Sequence, residues 1–364
     1  MKRILCVFGT RPEAIKMCPL IGELRRREGV SVPVAVSGQH REMLDQVLSV
    51  FEILPDYDLR LMREGQSLSS LTARAIAGFD RVFADALPDT VLVHGDTTTA
   101  FSAALAAFYR KIPICHVEAG LRTRDLFHPF PEEYNRRAIS LLASYHFAPT
   151  VMARDNLLTE GKEKHRIFVS GNTGIDALRV TVRESFSHPL LTWAKGSRLL
   201  LLTAHRRENL GEPMRRVFKA VRRLVEDSPD VRVIYPCHKN PQVASVAREI
   251  FAGCERIRLC EPLDVVTFHN LLSRCYFVLS DSGGIQEEAT ALGKPVLVLR
   301  DTTERPEGVA FGSLKTVGCD GASLYQSARL LLEDATVYAS MARASDLYGN
   351  GYASKKIADI LLSL

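Results

Sequence analysis

The sequence predicts an α/β protein built from two Rossmann-like, doubly wound domains. Three observations carry this expectation. Short apolar runs of strand length alternate with longer stretches of helical period, which is the signature of βαβ units. The alternation restarts after Gly171. At 364 residues the chain is also too long for one ordinary domain and suits two.

In the first half, Ile4–Phe8, Val32–Val36, Val91–His94, Ile112–His116 and His146–Ala148 read as buried parallel strands. In the second half, Leu199–Thr203, Val231–Tyr235, Ile257–Leu259, Phe277–Ser280 and Val296–Leu299 do the same. The polar stretch Ser170–Ser197 reads as the linker, and Gly349-Asn350-Gly351 as a second break. Beyond that break Ser354 can cap a last helix with Ile357, Ile360, Leu361 and Leu364 on one face, which has to pack on something. Ligands of open α/β sheets bind beyond the carboxyl ends of the strands, so the active site is expected in the cleft between the domains.

Composition narrows the function. The net charge of +5 and pI near 8.7 fit an anionic small molecule. Lys/Arg blocks interleaved with aromatics are missing, so nucleic acid is not indicated, and Arg25-Arg26-Arg27 and Arg215-Arg216 read as solvated helix faces. The eight cysteines form no C-x-x-C pair, and several sit in apolar runs, as free thiols of a reducing compartment would. Met-Lys-Arg precedes only five apolar residues, too few for a signal peptide, and no run reaches membrane-span length, so a cytoplasmic protein is expected.

The post-strand segments carry the chemistry. Gly9-Thr10-Arg11-Pro12-Glu13 turns from strand to helix, with Pro12 in the first turn and Arg11 and Lys16 alongside. It reads either as an anion site or as a plain turn with two surface cations. No G-x-G-x-x-G follows a strand, so a nicotinamide cofactor is not indicated. Ser282-Gly283-Gly284 follows an apolar strand and opens a helix, where backbone amides can approach a phosphate. Glu288 lies one turn on, within reach of ribose hydroxyls. The rival reading is a tight turn.

Two strands end alike, in His94-Gly95-Asp96 and His116-Val117-Glu118, and a Pro-flanked loop brings Glu132 and Glu133 into a helix with Arg136. Asp96, Glu118 and Glu132 as uncompensated neighbours would raise one another's pKa and suit general acid–base work. Two alternatives stand beside this: a divalent-metal set from His94, Asp96, His116 and Glu118, or structural histidines with Asp96 capping the Thr97-Thr98-Thr99 helix. His205 and Arg206 follow the first strand of the second half, and Arg305 is a similar post-strand cation.

Taken together, FGTRPEAIKM at 8–17, QHREMLDQVL at 39–48, VHGDTTT at 93–99, HVEAGLRT at 116–123, PFPEEYNRR at 129–137, HRREN at 205–209, YPCHKNP at 235–241 and SDSGGIQEEA at 280–289, with LGKPVLVLRDTTERPE at 292–307, resemble the bacterial non-hydrolysing UDP-N-acetylglucosamine 2-epimerase family. The segments appear in order over nearly the whole chain. The resemblance implies a glycosyltransferase-B type fold, a homodimer, and a last helix that crosses back to the first domain. The expected domains are then 1–170 with 352–364, and 171–351. It implies interconversion of UDP-N-acetylglucosamine and UDP-N-acetylmannosamine by elimination of UDP to a 2-acetamidoglucal and re-addition, with no cofactor. A hydrolysing relative, a glycosyltransferase of the same fold and a non-catalytic sensor are the competing readings. By resemblance, Asp96, Glu118, Glu132 and His205 are the catalytic group. Arg11, Lys16, Arg136, Leu263, Phe268, Ser282, Gly283, Gly284, Glu288 and Arg305 are the nucleotide-sugar ligands. The segment 263–267 departs from the usual Tyr-containing form. A regulatory nucleotide-sugar pocket would use Gln39, Glu42, Gly65, Arg206 and His238. Glu42 and Gly65 replace a neutral amide and an arginine there, so weak or absent activation is expected.

Overall fold

The computed structural model describes residues 1–38, 41–63, 65–206, 209–237 and 240–364, with the backbone alone at 41 and 42. The chain divides into two compact units, Met1–Arg179 with Tyr348–Leu364, and Val180–Leu347. The expected boundaries lay at 170/171 and 351/352.

The first unit contains β1 (Lys2–Phe8), β2 (Val30–Ser31), β3 (Val34–Val36), β4 (Tyr57–Asp58), β5 (Thr90–His94), β6 (Ile114–Val117), β7 (Tyr145–Ala148) and β8 (Ile167–Val169). They form one sheet of order β4-β3-β1-β5-β6-β7-β8, with β2 beside β1. The second unit contains β9 (Arg198–Thr203), β10 (Val231–Pro236), β11 (Ile257–Cys260), β12 (Phe277–Ser280), β13 (Val296–Val298) and β14 (Leu314–Thr316), in the order β11-β10-β9-β12-β13-β14. Every pairing among the described residues is parallel.

Parallel strands are covered on both faces, which is why they read as continuous apolar runs. All five residues of β5 and all four of β12 are buried. Helices supply the cover by apolar stripes. In Glu212–Asp227, Met214, Val217, Phe218, Val221, Leu224 and Val225 are buried at helical spacing, while Arg215 reaches Glu249 at its rim. Each such side chain contributes about 1.5–3 kcal/mol on burial. Arg26 is 75% exposed and Arg27 bonds Glu23 and Asp359, so these arginines are surface groups.

The expected linker is not irregular. It contains the helices Thr173–Thr181 and Pro189–Ala194, with Ile175, Ala177 and Leu178 buried. The last helix, Ala353–Ser363, packs on the helix Arg11–Arg25. Its cap is not Ser354, which lies inside the helix. Asp176 accepts from the Ala353 and Ser354 amides at 3.1 and 2.6 Å and satisfies the helix N-terminus from a distant segment. Ile357 and Leu361 are buried, whereas Leu364 is exposed. All eight cysteines are free, and burial pushes the Cys6 and Cys115 thiols up to about 12. No helix among the described residues is long and apolar enough to cross a membrane.

The strand order reverses at β1/β5 in the first sheet and at β9/β12 in the second. Such switch points open crevices beyond the carboxyl ends of the strands. Arg11, Asp96, His205 and Ser282 follow these four strands, and Glu118 follows β6 beside β5.

Candidate active site

In the first unit, Gly9 follows β1. A Cβ there would lie 1.9 Å from Ser37 Oγ and 2.5 Å from Thr99 Oγ1, so only glycine fits the close approach. Thr10 and Glu13 form a capping box on the helix Arg11–Arg25. Glu13 accepts from the Gly9 and Thr10 amides at 3.0 and 2.8 Å, and from the Thr97 hydroxyl at 2.6 Å. Burial raises its pKa against the pull of these bonds. Two amides of this turn are therefore engaged by the chain's own carboxylate. Arg11 is half-buried in the first helical turn.

Lys16 is not left beside the helix start: its ammonium bonds Glu118 Oε2. The same oxygen accepts from Asn172 Nδ2 at 2.7 Å, and His94 Nε2 stands 3.8 Å away. Glu118 follows β6 with φ +61°, a left-handed conformation uncommon for a residue with a Cβ.

Asp96 follows β5, and its carboxylate pairs with the Arg136 guanidinium, which Glu133 also holds at 3.3 Å. Asp96 is not the helix cap: Thr97 caps Thr98–Tyr109 by accepting from the Ala100 amide at 3.0 Å. The expected cluster of uncompensated carboxylates is thus corrected to ion pairs. Lys16 neutralises Glu118, and Arg136 neutralises Asp96. Glu132 opens the helix Glu132–Leu142, is half-buried, and lies four residues before Arg136 on the same face. The bond from Arg136 to Asp96 therefore ties the helix of Glu132 to the end of β5.

The histidines play a packing part. His116 bonds the Gly95 carbonyl through Nε2 at 2.7 Å, and burial lowers its pKa to about 3. Burial lowers His94 to about 4, opposed by Glu118 and assisted by Lys16. Among the described residues no group of three or more His, Cys, Asp or Glu side chains is placed to hold a metal ion.

In the second unit, His205 follows β9 and Asp281 follows β12, with Thr203 and Ser280 in register. Asp281 is fully buried, and its Oδ1 lies 3.3 Å from His205 Nδ1. Ser282 precedes the helix Gly283–Ala291 and, among the described residues, forms no side-chain cap. A Cβ on Gly283 would meet Arg305 Nη1 at 2.4 Å, whereas one on Gly284 would meet nothing nearer than Glu288 Oε1 at 4.0 Å. Arg305 is buried between Glu287 at 2.8 Å and Glu304 at 2.6 Å. Burial opposes ionisation of Glu304, but Arg305, Arg300 and Arg206 outweigh it and hold its pKa well below the usual range. Glu288 is buried, with His269 Nε2 at 3.5 Å. Leu263 and Phe268 are half-buried against the apolar cluster around Leu271 and Val278.

Of the expected regulatory set, Gln39 and His238 lie outside the described residues, as does the Glu42 side chain. Arg206 is half-buried, and Gly65 adopts φ +67°. Sequence reasoning passed over Glu13, Asn172, His269, Asp281, Glu287 and Glu304. The capping-box spacing of Thr10 and Glu13 was a readable signal.

The family model of UDP-N-acetylglucosamine 2-epimerase matches residues 22–362. A UDP-N-acetylglucosamine 2-epimerase of Bacillus subtilis (strain 168) is 54% identical over 99% of this chain and 95% of its own. The solved UDP-GlcNAc 2-epimerase from Neisseria meningitidis, bound to UDP-GlcNAc, is 46% identical with TM-score 0.95, covering 100% of both chains. An S. aureus MnaA–UDP co-structure is 50% identical with TM-score 0.96, covering 100% of this chain and 96% of that one. With post-strand carboxylates in one unit and a Ser-Gly-Gly helix start in the other, this chain belongs to the UDP-N-acetylglucosamine 2-epimerase family.

Proposed function

We propose that this chain interconverts UDP-N-acetylglucosamine and UDP-N-acetylmannosamine without hydrolysis. The observation that carries the reading is the pair of carboxylates, Asp96 and Glu118, each following a neighbouring strand and each held by a buried cation.

The hydrogen on C2 is not acidic while UDP is attached. As the C1–O bond breaks, its electron pair leaves with UDP and positive charge develops at C1. The C2 proton then passes to a carboxylate, and the new C1–C2 double bond gives 2-acetamidoglucal plus UDP. Protonation of C2 on its other face and return of UDP to C1 complete inversion. The sequence is redox-neutral, so it calls for no nicotinamide. Asp96, Glu118, Glu132 and His205 are assigned to proton movement and to stabilising the charge at C1.

Arg11, Lys16 and Arg136 are assigned as cations that hold substrate or tune those acids. Ser282, Gly283 and Gly284, with the uncapped helix start, are assigned to the diphosphate, and Arg305 to the same charge. Glu288 is assigned to the ribose, and Leu263 and Phe268 to the base. We assign a homodimer as the working form. Phe108, Tyr109, Tyr134 and Leu141 are 50–76% exposed, and Phe101 joins the two helices that carry them by an edge contact to Tyr134 at 5.8 Å.

The test is product analysis after incubation with UDP-N-acetylglucosamine alone. A mixture of two intact nucleotide sugars is expected. Free UDP and N-acetylmannosamine in equal amounts would show the hydrolysing course instead.

A further inference from the structure

We infer that Asp281 is a positioning residue that fixes the His205 imidazole in its Nδ1–H tautomer, so that Nε2 is the nitrogen His205 brings to the reaction. The inference rests on the assignment of His205 to the catalytic group.

β9 and β12 are neighbours at the switch point of the second sheet, with Thr203 opposite Ser280. Asp281 is the first residue after β12 and is wholly buried. Its Oδ2 is well supplied with donors: the amides of His205 and Arg206, each at 2.8 Å, and Asn209 Nδ2 at 3.2 Å. Asn209 is itself tied to the Leu299 carbonyl at 3.1 Å and accepts from the Cys319 thiol at 3.1 Å. On the strand below, Ser280 Oγ bonds Thr203 Oγ1 at 2.7 Å and accepts from the Ser282 amide at 3.0 Å. The carboxylate plane is therefore held on every side that these bonds reach.

Its other oxygen, Oδ1, is buried and accepts no hydrogen bond among the described residues. A buried carboxylate oxygen requires a donor. His205 Nδ1 lies 3.3 Å from it, close enough for a small ring rotation to complete a bond. With Nδ1 unprotonated, two lone pairs would face each other across that gap in a buried setting. With the proton on Nδ1, the same contact becomes a charge-assisted bond that satisfies Oδ1. The neutral ring then carries its lone pair on Nε2. When Nε2 takes a proton, the resulting imidazolium faces the Asp281 carboxyl group. The His205 side chain is 40% exposed, so the ring is anchored at one edge and open at its surface.

The experiment uses the full-length protein labelled with 15N-histidine, in which the His205 signals are identified by their loss in His205→Gln. The wild-type protein is expected to show a pyrrole-like Nδ1 and a pyridine-like Nε2. Asp281→Asn keeps an oxygen for the two amides and turns an NH2 group toward the ring, so it should reverse the pattern. Turnover should fall about a hundredfold or more, with UDP affinity unchanged. A wild-type His205 protonated on Nε2 overturns the inference, and this reading needs no variant to fold. So does an Asp281→Asn protein that loses turnover with its tautomer unchanged, because Asp281 would then act only on structure. If the tautomers behave as stated but His205→Gln retains full turnover, the positioning role is overturned through the failure of the His205 assignment, and the spectrum separates that case from the others.

Discussion

Glu118 and Lys16 lie 102 positions apart in sequence, yet their side chains form an ion pair in which each is only 9% exposed. The backbone of Glu118 stands at φ +61°, and Asn172 donates at 2.7 Å to the same carboxylate oxygen that Lys16 bonds. A charged pair this far from water is costly to break from one end, because the remaining partner stays buried.

Lys16→Met is therefore expected to destabilise the protein by about 3–5 kcal/mol, the usual cost of removing one partner of a buried pair. Lys16→Met combined with Glu118→Gln should be clearly less destabilising than the sum of the two single changes. Urea unfolding of the three variants checks this. Strict additivity would mean the pair contributes nothing as a pair.

Asp96→Asn, Glu118→Gln and Glu132→Gln should each cut turnover about a hundredfold or more, as expected for a positioned acid or base. Asp96→Asn should keep the fold, since Asn retains an acceptor for Arg136 and Glu133 still holds that guanidinium. Steady-state rates with UDP-N-acetylglucosamine decide the matter. Near-wild-type turnover in all three variants would remove the acids from the mechanism.

The two adjacent glycines of the second unit should respond differently to alanine. At Gly283 the new methyl meets Arg305, which Glu287 and Glu304 hold in place, so a stability loss of about 1–3 kcal/mol is expected from overpacking. At Gly284 the methyl enters open space, and stability should hold while UDP binding weakens. Thermal unfolding and UDP titration of both variants separate the effects. Unchanged UDP affinity in Gly284→Ala would argue against a diphosphate at this helix start.

How much was legible follows from the range of each signal. Apolar strands such as Ile4–Phe8 and Phe277–Ser280 announced themselves, because burial on both sides demands continuous apolar runs. The short strands β2, β4, β8 and β14 did not, whereas the equally short β3 and β13 lie in longer apolar runs, Val32–Val36 and Val296–Leu299, that could be read. Asp96, Glu118 and Glu132 could be picked out by their post-strand or loop positions. Lys16 and Arg136 could be picked out as cations, but not as the partners of Glu118 and Asp96, since each pairing depends on how distant segments fold together. Asn172 was hidden in a stretch that reads as linker, yet it reaches Glu118 across 54 positions. Asp281 stood inside a quoted motif, but only the neighbouring positions of β9 and β12 show that it faces His205.

Acid should destabilise the fold through its buried histidines. Burial lowers His94 and His146 to about 4 and His116 to about 3, all below the ordinary 6.5. The unfolded chain therefore binds protons in a range where the folded chain does not. The stability carried by the neutral rings is present above pH 6.5 and is lost as pH falls toward 4. Each fully buried ring accounts for roughly 3 kcal/mol across that window. Urea midpoints at pH 7.5 and pH 5 should differ, and His116→Gln should flatten the dependence. A midpoint that rises on acidification would show that the buried histidines do not govern the acid response.

Epimerisation by this route requires the C2 proton to leave and return while the nucleotide sugar is remade. The most direct test is to incubate the protein with UDP-N-acetylglucosamine in heavy water and follow C2 by NMR. Deuterium should appear at C2 of both intact nucleotide sugars. Interconversion that leaves protium at C2, or deuterium found only in free N-acetylmannosamine, would contradict it.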